Sequence, residues 1–154
     1  LYNYPVESHV YVMDRKSGEQ KVFEADSRFT KNVVEKCESG NYEQWERHNI
    51  ENPHFYDLMY LPQTGMYARL HLGGIEFDAT RDILNLMDDR DLYLTFFDKD
   101  FVVVGEAKLP SHRYNYFTGW RETNDGVALF VDNSLDENEK TEELVLDIVR
   151  LQAD

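Results

Sequence analysis

Leu92-Tyr93-Leu94-Thr95-Phe96-Phe97-Asp98-Lys99-Asp100-Phe101-Val102-Val103-Val104-Gly105-Glu106-Ala107-Lys108 is the stretch that decides the fold class. Two β-prone runs, Leu92 to Phe97 and Val102 to Lys108, flank the polar turn Asp98-Lys99-Asp100-Phe101, so the stretch reads as an antiparallel hairpin. Both runs are apolar at odd and even positions alike. A strand with one solvated face alternates, whereas a strand covered on both faces does not. Sheets stacked with a neighbour on each side, as propeller blades are, produce this pattern. A two-layer sandwich would leave more outward-facing polar positions.

The same arrangement recurs in both directions. Val10 to Asp14 and Gln20 to Glu24 flank Arg15-Lys16-Ser17-Gly18, and Phe55 to Tyr60 and Met66 to Leu72 flank Leu61-Pro62-Gln63-Thr64-Gly65. Tyr116 to Glu122 and Val127 to Val131 flank Thr123-Asn124-Asp125-Gly126, and a last run extends from Leu144 to Leu151. Gly, Pro and Asn-Asp-Gly at these places are the chemistry of tight turns. Helix signals fall only in connectors. Asn41 is an N-cap with Gln44 at capping-box spacing, Thr80 is a cap for a short helix from Arg81 to Met87, and a weaker turn is expected over Thr30 to Cys37.

The expected fold is therefore all-β, with consecutive antiparallel hairpins forming propeller blades and short helices only in connectors; a β-sandwich is the alternative. Residues 1–154 are read as a single unit, a partial propeller with blade pieces 8–24, 55–108 and 116–151. In this register the tight hairpins share one face, and the long connectors 25–54, 73–91, 109–115 and 132–143 share the other, where function usually sits. The strand at 144–151 is apolar except for Asp147 and Arg150. An open apolar edge invites pairing, so it is expected to pair with missing N-terminal blades, another chain, or Tyr2 to Val6 folded back.

The chain has 154 residues, of which 42% are hydrophobic and 14% aromatic, so it can bury a real core despite a net charge of −14. Connectors 25–54 (four basic, six acidic), 73–91 (two basic, six acidic) and 132–143 (one basic, six acidic) carry −11 of that −14. Such a surface repels phosphate backbones and anionic headgroups, which argues against nucleic acid as a partner. Cys37 is the single cysteine, which excludes an internal disulfide and a multi-cysteine zinc site. No apolar run approaches the roughly 20 residues of a membrane span.

Glu51-Asn52-Pro53-His54-Phe55-Tyr56-Asp57 running into Tyr60-Leu61-Pro62, Phe96-Phe97-Asp98-Lys99-Asp100-Phe101 running into Gly105-Glu106, and Lys108-Leu109-Pro110 carry a family likeness over roughly residues 50–151. In these segments the chain resembles the domain of unknown function 4221 family, bacterial proteins of the TolB-like six-bladed propeller class. That resemblance implies a periplasmic or lipid-anchored lipoprotein setting. It brings no established activity and no functional residues. The chain holds only about half of a six-bladed ring at about 40–50 residues per blade.

Two residue groups are candidate sites. His48, His54 and Asp57 surround the approach to the second hairpin, where imidazoles and a carboxylate could bind a ligand or perform acid–base work. His48 and His54 are expected in a loop, six residues apart, without helical zinc spacing. Asp132, Ser134, Asp136, Asn138 and Glu143 occupy positions one, three, five, seven and twelve of a calcium-type loop, but Glu137 stands where the turn glycine belongs. No cofactor is implied, with calcium a minor alternative. Asp88, Asp89 and Asp91 form a third acidic group, Trp45 and Trp120 offer stacking surfaces, and Gly73-Gly74 lacks a phosphate-loop setting. The expected function is a non-enzymatic binding or interaction scaffold for a protein, peptide or glycan, using the long-connector face. The alternative is a hydrolase or lyase with its site near His54 and Asp57.

Overall fold

A computed structural model describes residues 1–37, 40–115, 117, 119–124, 126–136 and 143–152. The fold is mostly β, with three antiparallel sheets in chain order and two helices in connectors. The first sheet holds β1 (Tyr2–Asn3), β2 (Val10–Met13) and β3 (Gln20–Phe23). In the second, β4 (His54–Phe55) and β5 (Met59–Leu61) both pair with β6 (Met66–Leu72), followed by β7 (Leu92–Phe97) and β8 (Val103–Lys108). The third holds β9 (Trp120–Glu122), β10 (Val127–Phe130) and β11 (Leu146–Val149).

All four expected hairpins form. Gly18 and Gly65 close their turns at φ of 73° and 68°, a left-handed conformation without steric cost for glycine. In the β7–β8 turn that conformation falls on Phe101, at φ 61°. The exception is compensated by burial: the Phe101 ring packs on Phe23 and Tyr67, at 5.0 and 4.8 Å between centroids.

The second sheet is covered on both faces. Ala68, Leu70 and Leu72 of β6 and Leu92, Leu94 and Phe96 of β7 join Val127 and Leu129 of the third sheet in one core. The intervening positions face the first sheet, where Phe97 and Phe101 pack with Val10 and Ala25. Every residue of β7 is buried, Thr95 among them, as its largely apolar sequence predicts. On the first-sheet side the packing includes a stack of mixed chemistry. Tyr93 lies flat on Phe29 and His71, His71 lies on Phe55, and the Arg69 guanidinium covers Phe55 and Phe97. Arg69 is fully buried and donates to the Ser8 and Ala25 carbonyls at 2.7 Å each, so it ties the second sheet to both flanks of the first hairpin. Burial pulls its pKa down to about 10, against the pull of Glu106 and Asp26, and it stays charged at neutral pH.

Several local expectations are corrected. The run Phe55 to Tyr60 is two short strands, because pairing shifts from Phe55↔His71 to Met59↔Ala68 and leaves one extra residue, a bulge that breaks the ladder. The short helix begins later than expected: Asp82, not Thr80, caps α2 (Ile83–Asp88) by accepting from the Leu84 amide. Thr80 is taken up in a turn on the Asp78 carboxylate. The segment Thr30 to Cys37 contributes a bridge from Val33 to Glu7 instead of a helical turn. Tyr2–Asn3 pairs with Val10 and Tyr11 rather than with the strand at 144–151. That strand pairs with β10 along one edge, and Leu144, Leu146 and Ile148 are exposed. No helix among the described residues is long and apolar enough to cross a membrane.

His71 gives the fold a pH dependence. Burial, with Arg69 second, pushes its pKa down to about 3, from about 6.5 in an unfolded chain. Below pH 6.5 the unfolded state takes up a proton that the folded state refuses, so stability falls as pH drops from 6.5 towards 3 and is flat above it. The expected loss between pH 7 and pH 5 is about 2 kcal/mol from this residue. Both ring nitrogens lack a hydrogen-bond partner among the described residues, so His71→Phe should keep the stack and remove that portion of the acid slope. Denaturant titrations of both proteins at the two pH values measure it.

Candidate functional groove

The long connectors form one continuous layer. Arg90, in the connector before β7, donates to the carbonyls of Gly73, Asn49 and Asn52, joining connectors 73–91 and 25–54. His112 meets Asp89 at 2.7 Å and Ser111 meets Asp91 at 3.3 Å, which adds connector 109–115. Asn133 donates to the carbonyls of Asp88 and Tyr114, and the Ser134 hydroxyl bonds the Asp88 carboxylate, which adds the segment from Asp132. On the turn side, the Gln63 amide bonds the Asn124 carbonyl, so two tight hairpins also meet each other.

In this layer α1 (Tyr42–Glu51) begins at Asn41, whose side chain accepts from the Gln44 amide at 2.9 Å. The Gln44 side chain reaches back to the Gly40 amide, one residue beyond the usual capping-box partner. The helix continues through His48 because Ile50, fully buried, anchors its last turn. Gly74 permits that packing: a Cβ there would lie 2.2 Å from the Glu51 carbonyl oxygen.

Between α1, α2 and the strand segment at 52–56 lies a groove of about 580 Å³. Its floor is apolar, with Ile50, Pro53 and Met87, and its rim carries Tyr42, Trp45 and Phe117. Tyr42 and Trp45 stack at 5.7 Å and 28° on successive turns of α1 and are 70% and 50% exposed. Glu46 is the carboxylate in the lining, and Arg90 is committed to its carbonyls.

Of the first candidate group, the structure brings His48 and His54 into this groove and leaves Asp57 exposed in the bulge, outside the lining. His48 lies on a helix, contrary to the loop expected, and its Nε2 contacts the Glu35 carbonyl at 2.7 Å. His54 stands edge-on to Tyr56 at 4.8 Å, and burial followed by the Arg90 charge lowers its pKa, so it is neutral at pH 7. In the calcium-type loop, Asp132 and Glu143 are exposed, Ser134 is bonded to Asp88, the Asp136 amide bonds the Asn133 carbonyl, and Asn138 lies outside the described residues. Among the described residues no group of three or more His, Cys, Asp and Glu is placed to hold a metal ion. Asp88, Asp89 and Asp91 diverge, with Asp88 on Ser134, Asp89 on Arg81 and His112, and Asp91 on Lys108. Trp120 packs on Tyr56 at 4.6 Å beneath the groove wall, while Trp45 stands at its rim. Sequence reasoning missed Arg90, Met87 and Phe117; an Arg between acidic neighbours in Asp89-Arg90-Asp91 gives little sign of burial.

The architecture thus defined is a set of stacked antiparallel sheets with an aromatic-rimmed groove in the connector layer. A solved structure with this fold is a member of the domain of unknown function 4221 family from Bacteroides vulgatus ATCC 8482, matching with a TM-score of 0.74 at 18% identity. The match covers 97% of this chain and 45% of that one, so the chain spans less than half the length of that protein. It supports the resemblance carried by the hairpin motifs, and at this identity it shows the fold alone. No protein-family model matches the chain, and no curated protein does.

Arg90→Lys keeps the charge but loses the planar fork that spans three carbonyls. Amide exchange across α1 is expected to speed up by about tenfold or more, about 1.4 kcal/mol of local stability, while β6 and β7 stay protected. Hydrogen-exchange mass spectrometry of the two proteins reads this directly.

Proposed function

We propose that this chain is a non-enzymatic binding scaffold of the cell envelope, that its sheets are consecutive blades of a TolB-like six-bladed propeller, and that its ligand binds in the connector-face groove. The observation that carries the reading is the groove itself: a concave, mostly apolar site of about 580 Å³ with exposed aromatic rings at its rim. Ligand sites are generally concave, apolar and within roughly 300–1,000 Å³. The two connectors that supply most of its lining, 25–54 and 73–91, are joined by Arg90, so the cleft is preformed.

The blade reading is supported by the sequential sheets, by a central sheet buried on both faces, and by a structural neighbour long enough to hold further blades. The binding reading is favoured over acid–base chemistry because Asp57 stands outside the lining and His54 lacks a carboxylate partner among the described residues.

In a Trp120→Phe background Trp45 is the only tryptophan left in the chain. A panel of short peptides and oligosaccharides is expected to include ligands that shift Trp45 emission saturably, with Tyr42→Ala weakening binding by roughly tenfold. Saturable binding that leaves Trp45 emission unmoved would place the ligand elsewhere and refute the groove reading.

A further inference from the structure

We infer that the groove takes a basic peptide segment, seating one or two apolar side chains between Trp45, Ile50 and Met87 while flanking lysines or arginines lie over the connector face. This inference rests on the groove reading and names its ligand class.

Five cations on or beside the connectors are held in ion pairs, while Lys31 and Lys36 are in none among the described residues. Arg28 contacts Glu106, Arg47 contacts Glu51, Arg81 contacts Asp89, Lys108 contacts Asp91 and Arg113 contacts Asp147. By contrast, Glu35, Glu43 and Glu46 have no cationic partner among the described residues, and Glu43 and Glu46 lie on α1 beside the exposed Tyr42–Trp45 stack. Glu43 and Glu46 therefore put negative charge beside the Tyr42–Trp45 stack, with Arg90 the cation of the lining, and in the sequence connectors 25–54, 73–91 and 132–143 carry −11 of the net charge.

The distribution of that charge favours a peptide over a small amine. The lining offers one carboxylate, Glu46, so a ligand confined to the groove would meet little of the field. A chain that continues past the rim also meets Glu43 on the exposed side of α1. Trp and Tyr are also the residues that most often anchor peptide interfaces, and their faces attract cations. A neutral sugar would gain stacking on Trp45 but nothing from the charge.

The test uses the full chain and three end-blocked hexapeptides, each with a central Leu-Phe flanked on both sides by two lysines, two serines or two glutamates, together with cellotetraose. Calorimetry at low salt is expected to show the lysine peptide binding at least tenfold tighter than the serine peptide and the glutamate peptide binding weakest. The lysine advantage should shrink severalfold in 0.5 M salt, where screening acts over only a few ångströms. Glu46→Gln should reduce that advantage, and Trp45→Ala should weaken every peptide; both sites are on the helix surface, and circular dichroism checks that the variants fold. Equal affinity for the lysine and serine peptides, lost in Trp45→Ala, would overturn the basic-peptide inference and leave the groove reading standing. So would binding of cellotetraose in preference to the peptides. Absence of all binding, or binding unmoved by Trp45→Ala, would overturn both.

Discussion

Arg69 holds a positive charge at the centre of the interface between the first and second sheets, and the placement of the first hairpin depends on it. No carboxylate lies within ion-pair distance among the described residues; the guanidinium is held instead by the Ser8 and Ala25 carbonyls and by the faces of Phe55 and Phe97. Removing such a cation from water costs several kcal/mol. Charge-assisted bonds to two carbonyls, each about 1.5–3 kcal/mol, and contact with two aromatic faces offset that cost. Lysine could not substitute, since only a planar fork reaches two separate carbonyls while stacking between rings. The two carbonyls flank β2 and β3, so a single side chain from the second sheet fixes both ends of the neighbouring hairpin.

Arg90 repeats the device in the connector layer. There too a buried guanidinium donates to main-chain carbonyls, three of them, and the segments it gathers line the groove. Sheets and connectors are thus joined by the same chemistry at two levels. Arg69 sets one sheet against the next, and Arg90 holds together the polar segments that would otherwise run separately over the surface. The chain carries 16 Lys and Arg against 30 Asp and Glu, and these two are placed where each organises several backbone segments at once.

The strands were legible because their signals are local. Apolar residues on both sides of Leu92 to Phe97 follow directly from burial on both faces, and Gly, Pro and Asn mark the turns of three of the four hairpins. The bulge within Phe55 to Tyr60 was hidden because the exposed face of β5 carries Tyr60, a large ring that does not mark a slip in register as a charged residue would. The helix start at Asn41 was legible from its side-chain chemistry, but its extension through His48 depends on the burial of Ile50. Thr80 and Asp82 are both competent caps, and the turn at Asp78 decides between them. The groove was not legible as such. Its walls come from positions as far apart as Pro5 and Phe117, and its organiser, Arg90, bonds backbone carbonyls, which leave no complementary residue type to find.

The division between turn side and connector side has an evolutionary consequence. Strand registers are fixed by tight turns such as Leu61 to Gly65 and by cores that lie between sheets, while the groove is cut mostly from segments that connect strands. Residues can therefore be added to or removed from α1, α2 or the segment around Phe117 without shifting a single cross-strand pair. Such a molecule is free to acquire new recognition properties by drift in its connectors, with the sheets acting as an inherited chassis that selection need not revise.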